Sequence, residues 1–247
     1  DKIRPDTKRI GQKILVYKST KSTNDIAAEY AKNKDNDGLA VFAEQQTEGR
    51  GRAGNKWLSG CGDSVLCSVI LTDSRINNEI LSLTCAVAVA EAVGHQAKIK
   101  WPNDIILNGK KVAGILLESK KHAKSSVFVI GIGINCHQQP DSFAPELRKT
   151  ATSIDIETRT RCDRNIIAKR LLVSIEHWLA AAEKNNKEII EHWKRLSIQF
   201  GHRTEVVYNG KKFAGNCIGI DPEKGLILQL DRGGVRMFDA SQTSIVK

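Results

Sequence analysis

The sequence predicts an α+β protein, a mixed or antiparallel sheet with helices followed by a small C-terminal β-barrel. Three observations carry this. Apolar strand-like runs alternate with helical segments up to about residue 199. Asn108-Gly109 stands between two such runs, and Asn-Gly in that setting is the strongest short hairpin signal. After Phe200-Gly201 only short strands and turns follow, with no helix between them. The division is therefore 1–199 and 200–247.

In order, Ser22-Thr23-Asn24-Asp25 reads as an N-cap ahead of a helix over Ile26 to Ala31. Leu39 to Glu44 and Ser64 to Leu71 read as strands. Ile80 to Val93 is apolar on most faces and rich in alanine, as a buried helix would be. Asp104–Leu107 and Lys110–Glu118 form the hairpin around Asn108-Gly109, and Val127 to Asn135 is another strand. Asn165–Leu179 and Ile189–Leu196 are amphipathic helices. Thr204–Tyr208, Lys211–Ile218, Leu226–Leu230 and Val235–Phe238 are the barrel strands, with Asn209-Gly210 as a turn.

The 247 residues are 40% hydrophobic and 27% charged, an ordinary globular balance. No apolar run reaches membrane-spanning length, and no secretory h-region is visible. Six scattered cysteines without a CxxC pair read as reduced, buried thiols of a cytoplasmic protein. Cys136-His137 alone is too little for a metal site. The net charge of +10 suits a nucleic acid, an acidic protein partner or a lysine-rich solvated surface. Part of that excess lies in the first 21 residues, which hold seven Lys/Arg against two Asp and read as a flexible tail.

Four segments carry candidate chemistry. Gly49-Arg50-Gly51-Arg52-Ala53-Gly54-Asn55-Lys56-Trp57 combines glycines, which let backbone approach a ligand, with guanidiniums, which grip phosphate or carboxylate. Its G-x-G-x-x-G pattern leads into a strand instead of opening a helix, against a dinucleotide fold. A surface hairpin loop is the plain alternative. Lys100-Trp101-Pro102-Asn103-Asp104 is a turn that presents an amide and a carboxylate at a strand start, or a turn around a buried Trp. Lys111 precedes Gly114, a strand glycine of the kind that marks close approach of a ligand or backbone. Gly131-Ile132-Gly133-Ile134-Asn135 is a glycine-punctuated strand ending in an amide, which either reads a base edge or caps a turn.

These segments, in this order and with Ser22-Thr23-Asn24, Gln46 and Ala151-Thr152-Ser153, resemble the biotin–protein ligase family. The resemblance runs from about Gly11 and extends to the C-terminal region, which is similar to that family's SH3-like domain. It implies a class II synthetase-like catalytic domain and a two-step reaction. Biotin and Mg-ATP give biotinyl-5′-AMP, and the biotinyl group then moves to a lysine of a biotin carboxyl-carrier domain. By motif, Lys111, Arg52 and Asp104 are the expected catalytic residues. Ser22, Thr23, Asn24, Gln46, Arg50, Gly51, Arg52, Lys111 and Gly114 are expected around biotin. Arg50, Arg52, Trp57, Asn103, Lys111 and Asn135 are expected around ATP and the adenylate. Magnesium is expected to arrive with ATP, near Asn103, with no fixed protein site.

The family loop often carries arginines where this chain has Ala53 and Asn55. Only 21 residues precede Ser22, too few for the helix-turn-helix of DNA-binding members. The expectation is a ligase that is not a repressor, with an acidic carrier domain as partner, no membrane association, and a homodimer as an open assembly state. Two rivals remain. One is a lipoate or octanoate ligase or transferase of similar fold. The other is a basic nucleic-acid-binding module, for which residues 200–247 offer a weak footprint of seven Lys/Arg against five Asp/Glu.

Overall fold

A computed structural model describes residues 3–74, 76–122 and 125–246. The larger sheet of the described residues contains β1 (Ile14–Tyr17), β2 (Ala40–Ala43), β3 (Ser64–Ser74), β4 (Lys98–Lys100), β5 (Asp104–Leu107), β6 (Lys110–His122) and β7 (Ser125–Asn135). Their order is β1-β2-β3-β7-β6-β5-β4, parallel only between β1 and β2. The helices are α1 (Thr23–Tyr30), α2 (Asn78–Val93), α3 (Ile154–Thr158), α4 (Arg164–Lys184) and α5 (Asn186–Leu196). A second, antiparallel sheet comprises β8 (Arg203–Tyr208), β9 (Lys211–Asp221), β10 (Gly225–Leu230), β11 (Val235–Phe238) and β12 (Thr243–Ile245), in the order β11-β10-β9-β8-β12. The α+β class and both sheets agree with the sequence reading.

Local chemistry explains the elements. The Ser22 hydroxyl accepts from the Asn24 N–H and starts α1, and Asn77 does the same for α2 by accepting from Ile80 N–H at 2.9 Å. Helix α2 has no polar face because it lies under the sheet with α4 and α5 over it, and its alanines let those neighbours approach. Its exposed acid, Glu91, accepts from the Trp178 indole Nε1 at 2.7 Å and from Ser174 Oγ at 2.9 Å, tying α2 to α4. Both Asn-Gly pairs are turns with positive φ at each residue, 47° and 80° at 108–109 and 49° and 74° at 209–210. Those are the angles of the type I′ hairpin that the dipeptide favours.

One apolar core runs from Ile10 through α2, α4 and the inner face of the sheet to Leu226 and Phe238 of the second sheet. A smaller cluster under α1 holds Ala27, Val41, Ile70 and Val129 on the sheet's opposite face. The remainder of that face is left for the cavity described below.

The amino-terminal segment is a correction. Instead of a tail, Ile10 is fully buried and β1 pairs with β2. The Glu176 carboxylate accepts from the backbone N–H groups of Lys8, Arg9 and Ile10 at 2.6, 2.7 and 2.8 Å. Burial alone would raise the Glu176 pKa, but these N–H groups, together with Arg9, hold it below its ordinary value. Strands β4 and β12, three residues each, were not anticipated, since three residues carry no readable period.

The lowered Glu176 pKa sets a pH dependence. A carboxyl whose folded pKa is depressed stabilises fully above its unfolded value, about 4.3, and loses that contribution as pH falls through the folded value. Urea unfolding of Glu176→Gln should therefore show a lower midpoint than wild type near neutral pH. The gap should close as pH drops below about 4, and a gap constant with pH would contradict the role given to the carboxylate.

Candidate active site

A cavity of about 1400 Å³ opens on the α1 side of the sheet, and all thirteen residues expected at the site line it. Its charged lining holds six Lys/Arg against Asp104 and Glu146. Such a balance attracts an anionic ligand.

The floor follows from strand register. Asp104 of β5 faces Gly114 of β6, which faces Gly133 of β7, which faces Leu66 of β3. Paired residues share a sheet face, so the two glycines leave a bare strip in mid-sheet. The Trp57 indole lies on it: a Cβ at Gly133 would fall 2.4 Å from Trp57 Cε2, and one at Gly114 3.1 Å from Cζ3. The buried Trp57 Nε1 has no hydrogen-bond partner. In the next row Ser68 faces Gly131, and a Cβ there would fall 2.3 Å from Asn24 Oδ1.

One end of the cavity is neutral and polar. Gln46 Oε1 accepts from the Thr23 backbone N–H at 2.7 Å and from Thr23 Oγ1 at 2.9 Å. Ser68 Oγ lies 2.7 Å from Thr23 Oγ1 and 2.6 Å from Asn24 Oδ1, and Asn24 Nδ2 donates to Glu118 at 2.8 Å. Ser22, Thr23 and Asn24 are all buried, held by the first turn of α1.

The other end is ionic. Lys111 Nζ and Asp104 Oδ1 are 2.6 Å apart, and Lys111 lies 6.0 Å from the centroid of the Trp57 ring. Arg52 donates to Asn103 Oδ1 at 3.0 Å and to the Ala240 carbonyl. Burial lowers the Arg52 pKa while Asp104 and Glu79 oppose it, so the guanidinium stays charged. Glu79 accepts from the Ala240 N–H at 3.1 Å, and its own pKa is raised by burial. Arg50 is different: it pairs with Asp25 at 2.7 Å and Glu118 at 3.4 Å.

The loop carrying both arginines is a tight hairpin. Gly51 N–H donates to Asn55 O at 2.7 Å, Trp57 N–H to Gly49 O at 2.9 Å, and Ala53 takes a left-handed conformation at φ 53°. The hairpin alternative and the ligand-facing alternative are therefore both realised: it is a hairpin, and its arginines and Trp57 line the cavity. The 100–104 segment likewise buries Trp101, whose N–H donates to Gln199 at 3.1 Å, and turns Asn103 and Asp104 to the cavity.

Asn135 is already engaged, donating to Thr152 O at 2.9 Å and accepting from Gln138 at 3.1 Å. An amide has a second proton and a second lone pair, so capacity remains. Sequence reasoning missed the wall supplied by Ser241 to Ile245 and the partners Glu118, Ser68 and Glu79, none of which stands in a motif-like setting.

The comparisons with known proteins point the same way. Residues 16–135 match the model of the biotin/lipoate A/B protein ligase family. The bifunctional ligase/repressor BirA of Bacillus subtilis is 34% identical over 95% of this chain and 74% of its own length. The biotin–[acetyl-CoA-carboxylase] ligase of Mycobacterium tuberculosis is 32% identical over 90% of this chain and 85% of its own. The biotin protein ligase of Aquifex aeolicus, solved in complex with biotin and ATP, superposes with a TM-score of 0.81 at 27% identity, covering 96% of this chain and 99% of that one. No helix among the described residues is long and apolar enough to cross a membrane. With its fold, its cavity and these relatives in agreement, the chain belongs to the biotin–protein ligases of the biotin/lipoate A/B protein ligase family.

Proposed function

We propose that this chain activates biotin with Mg-ATP to biotinyl-5′-AMP and transfers the biotinyl group to one lysine of a biotin carboxyl-carrier domain. The observation that carries the reading is the Lys111–Asp104 pair, 2.6 Å apart, beside Arg52 at the ionic end of a cavity whose floor is bare glycine. A bicyclic ureido ligand with a carboxylate tail matches that layout. The ring takes the place of the Trp57 indole on the Gly114–Gly133 strip, its ureido group meets Thr23 and Gln46, and its tail reaches Lys111. Residues 1–199 supply this chemistry, and residues 200–247 close one wall.

In the first step a carboxylate oxygen attacks the α-phosphate, a P–O bond forms, and pyrophosphate leaves. Two anions must meet. Lys111 and Arg52 offset their repulsion, and more strongly as charge builds at phosphorus. The incoming carboxylate replaces Asp104 as the partner of Lys111, which frees Asp104. In the second step the acceptor lysine attacks the acyl carbon as a neutral amine, an amide forms and AMP departs. Asp104 orients that amine or takes its proton. Trp57 and Asn135 hold the adenine side, the 49–57 hairpin excludes water from the mixed anhydride, and Arg50 anchors that hairpin through Asp25 and Glu118. The amide oxygen of Asn103 and the Asp104 carboxylate are hard donors of the class magnesium prefers. Bound with the nucleotide, the ion supplies neutralisation of the departing pyrophosphate.

Lys56, Lys98 and Lys100 bring positive charge to the cavity lining, which suits an acidic carrier domain. Carrier affinity should fall as ionic strength rises. The reading is of a cytoplasmic enzyme.

The decisive measurement is biotin-dependent ATP–pyrophosphate exchange. Lys111→Ala should reduce it by about 10²- to 10³-fold, the cost of removing one transition-state charge partner. Arg52→Gly should retain exchange but release free biotinyl-AMP. Exchange with lipoate or octanoate and none with biotin would overturn the reading. Gly133→Ala tests the floor separately. Its Cβ must displace the indole or the ligand ring, so the biotin Kd should rise at least about tenfold, equivalent to about 1.4 kcal/mol. Trp57 emission should shift to the red. An unchanged Kd and spectrum would place the ring elsewhere.

A further inference from the structure

Away from the cavity, the structure gathers three metal-ligating side chains that the sequence keeps apart. His137 Nδ1 lies 2.7 Å from Asp155 Oδ2. One ligand atom each from His137, Asp155 and Cys162 falls within 4.8 Å of the others. The thiol of Cys136, fully buried, is turned to the Ile134 carbonyl at 3.6 Å. The side chains of His137 and Asp155 are only 11% and 12% exposed. We propose that His137, Asp155 and Cys162 form a zinc site, with a solvent molecule in the fourth position.

The donor set selects the metal class. One thiol, one imidazole and one carboxylate oxygen suit a tetrahedral, borderline-soft divalent ion and disfavour magnesium or calcium, which prefer all-oxygen shells. On binding, one Zn–S bond forms and the Cys162 S–H proton leaves to solvent. One thiolate and one carboxylate then balance the charge of Zn²⁺.

Position gives the site its purpose. The ligands come from the end of β7, from α3 and from the loop before α4. The backbone already ties them: Asp155 N–H donates to Cys136 O at 3.0 Å, and Cys162 N–H to Asp155 Oδ1 at 2.7 Å. Asn135 is the residue before Cys136, and Thr152, which accepts its amide, lies just before α3. Ala151 in turn pairs with Lys111. A metal here cross-links the back wall of the ligase cavity without touching its contents.

The test uses the full chain, reduced and stripped with a chelator, then titrated with cobalt(II) and with zinc(II). One equivalent of cobalt should give thiolate-to-metal charge-transfer absorption and the intense visible bands of tetrahedral coordination, and zinc should bleach both. Zinc should raise Tm by an amount that grows with the logarithm of its free concentration over Kd. Cys162→Ser and His137→Ala should each weaken zinc binding by about 100-fold or more. Cys61→Ser, at an exposed thiol elsewhere, should leave the spectrum unchanged. Wild-type protein without thiolate–cobalt bands overturns the proposal, whether or not the variants fold. So do bands that persist in folded Cys162→Ser. Biotin-dependent exchange measured on the same samples reports on the ligase reading alone, so the two stand or fall separately.

Discussion

Gly114 and Gly133, paired across β6 and β7, are the constraint on which the site depends. On the inner face Ile130, Ile132 and Ile134 build the main core, while on the outer face Gly131 and Gly133 leave room. Alternation along a single strand thus does two jobs, since a period of two separates them without a change of element. The cavity is cut into the sheet face where neither α1 nor any other helix covers it. What fills it in the structure is the Trp57 indole, with its N–H buried and unpartnered. An unsatisfied buried donor costs about 1–3 kcal/mol, so the arrangement is one that a ligand acceptor would relieve.

The hairpin that carries Trp57 also explains why the second sheet belongs to the site. Arg52 donates to the Ala240 carbonyl while Glu79, at the start of α2, accepts the Ala240 N–H. One peptide segment from the second sheet is therefore gripped from both sides by residues of the first part of the chain. The hairpin is held at Arg50 as well, by Asp25 and Glu118. Just past these anchors the turn is strained at Ala53, whose left-handed conformation costs roughly 1 kcal/mol relative to glycine.

Much of this was legible in the sequence where one residue type has one physical use. Ser22 could be read as a cap, and Asn108-Gly109 and Asn209-Gly210 as primed turns, because few residues tolerate those geometries. The cavity residues were legible because glycines, arginines and a lysine stood in a recognisable order. What could not be read depends on contacts between distant segments. Strand β1 exists because Glu176, more than 160 positions away, caps the segment ahead of it. The wall from Ser241 to Ile245 is a plain polar tail until the second sheet folds back on Arg52. The partners of His137, Asp155 and Cys162, could not be read because only α3 and the turn after it bring them together.

The Lys111–Asp104 pair shows how little energy the proposed chemistry has to overcome at its start. The pair is short, at 2.6 Å, but its side chains are 37% and 28% exposed. An ion pair that open to water contributes about 1 kcal/mol or less, because solvent screens it. A substrate carboxylate arriving at Lys111 therefore displaces Asp104 at small cost, and charge balance at the lysine is kept throughout. The displaced carboxylate is left beside Arg52 and Asn103. On the proposed reading, exchange of partners at one lysine orders the two half-reactions: Asp104 becomes free to serve the amine only after the acid to be activated has taken its place.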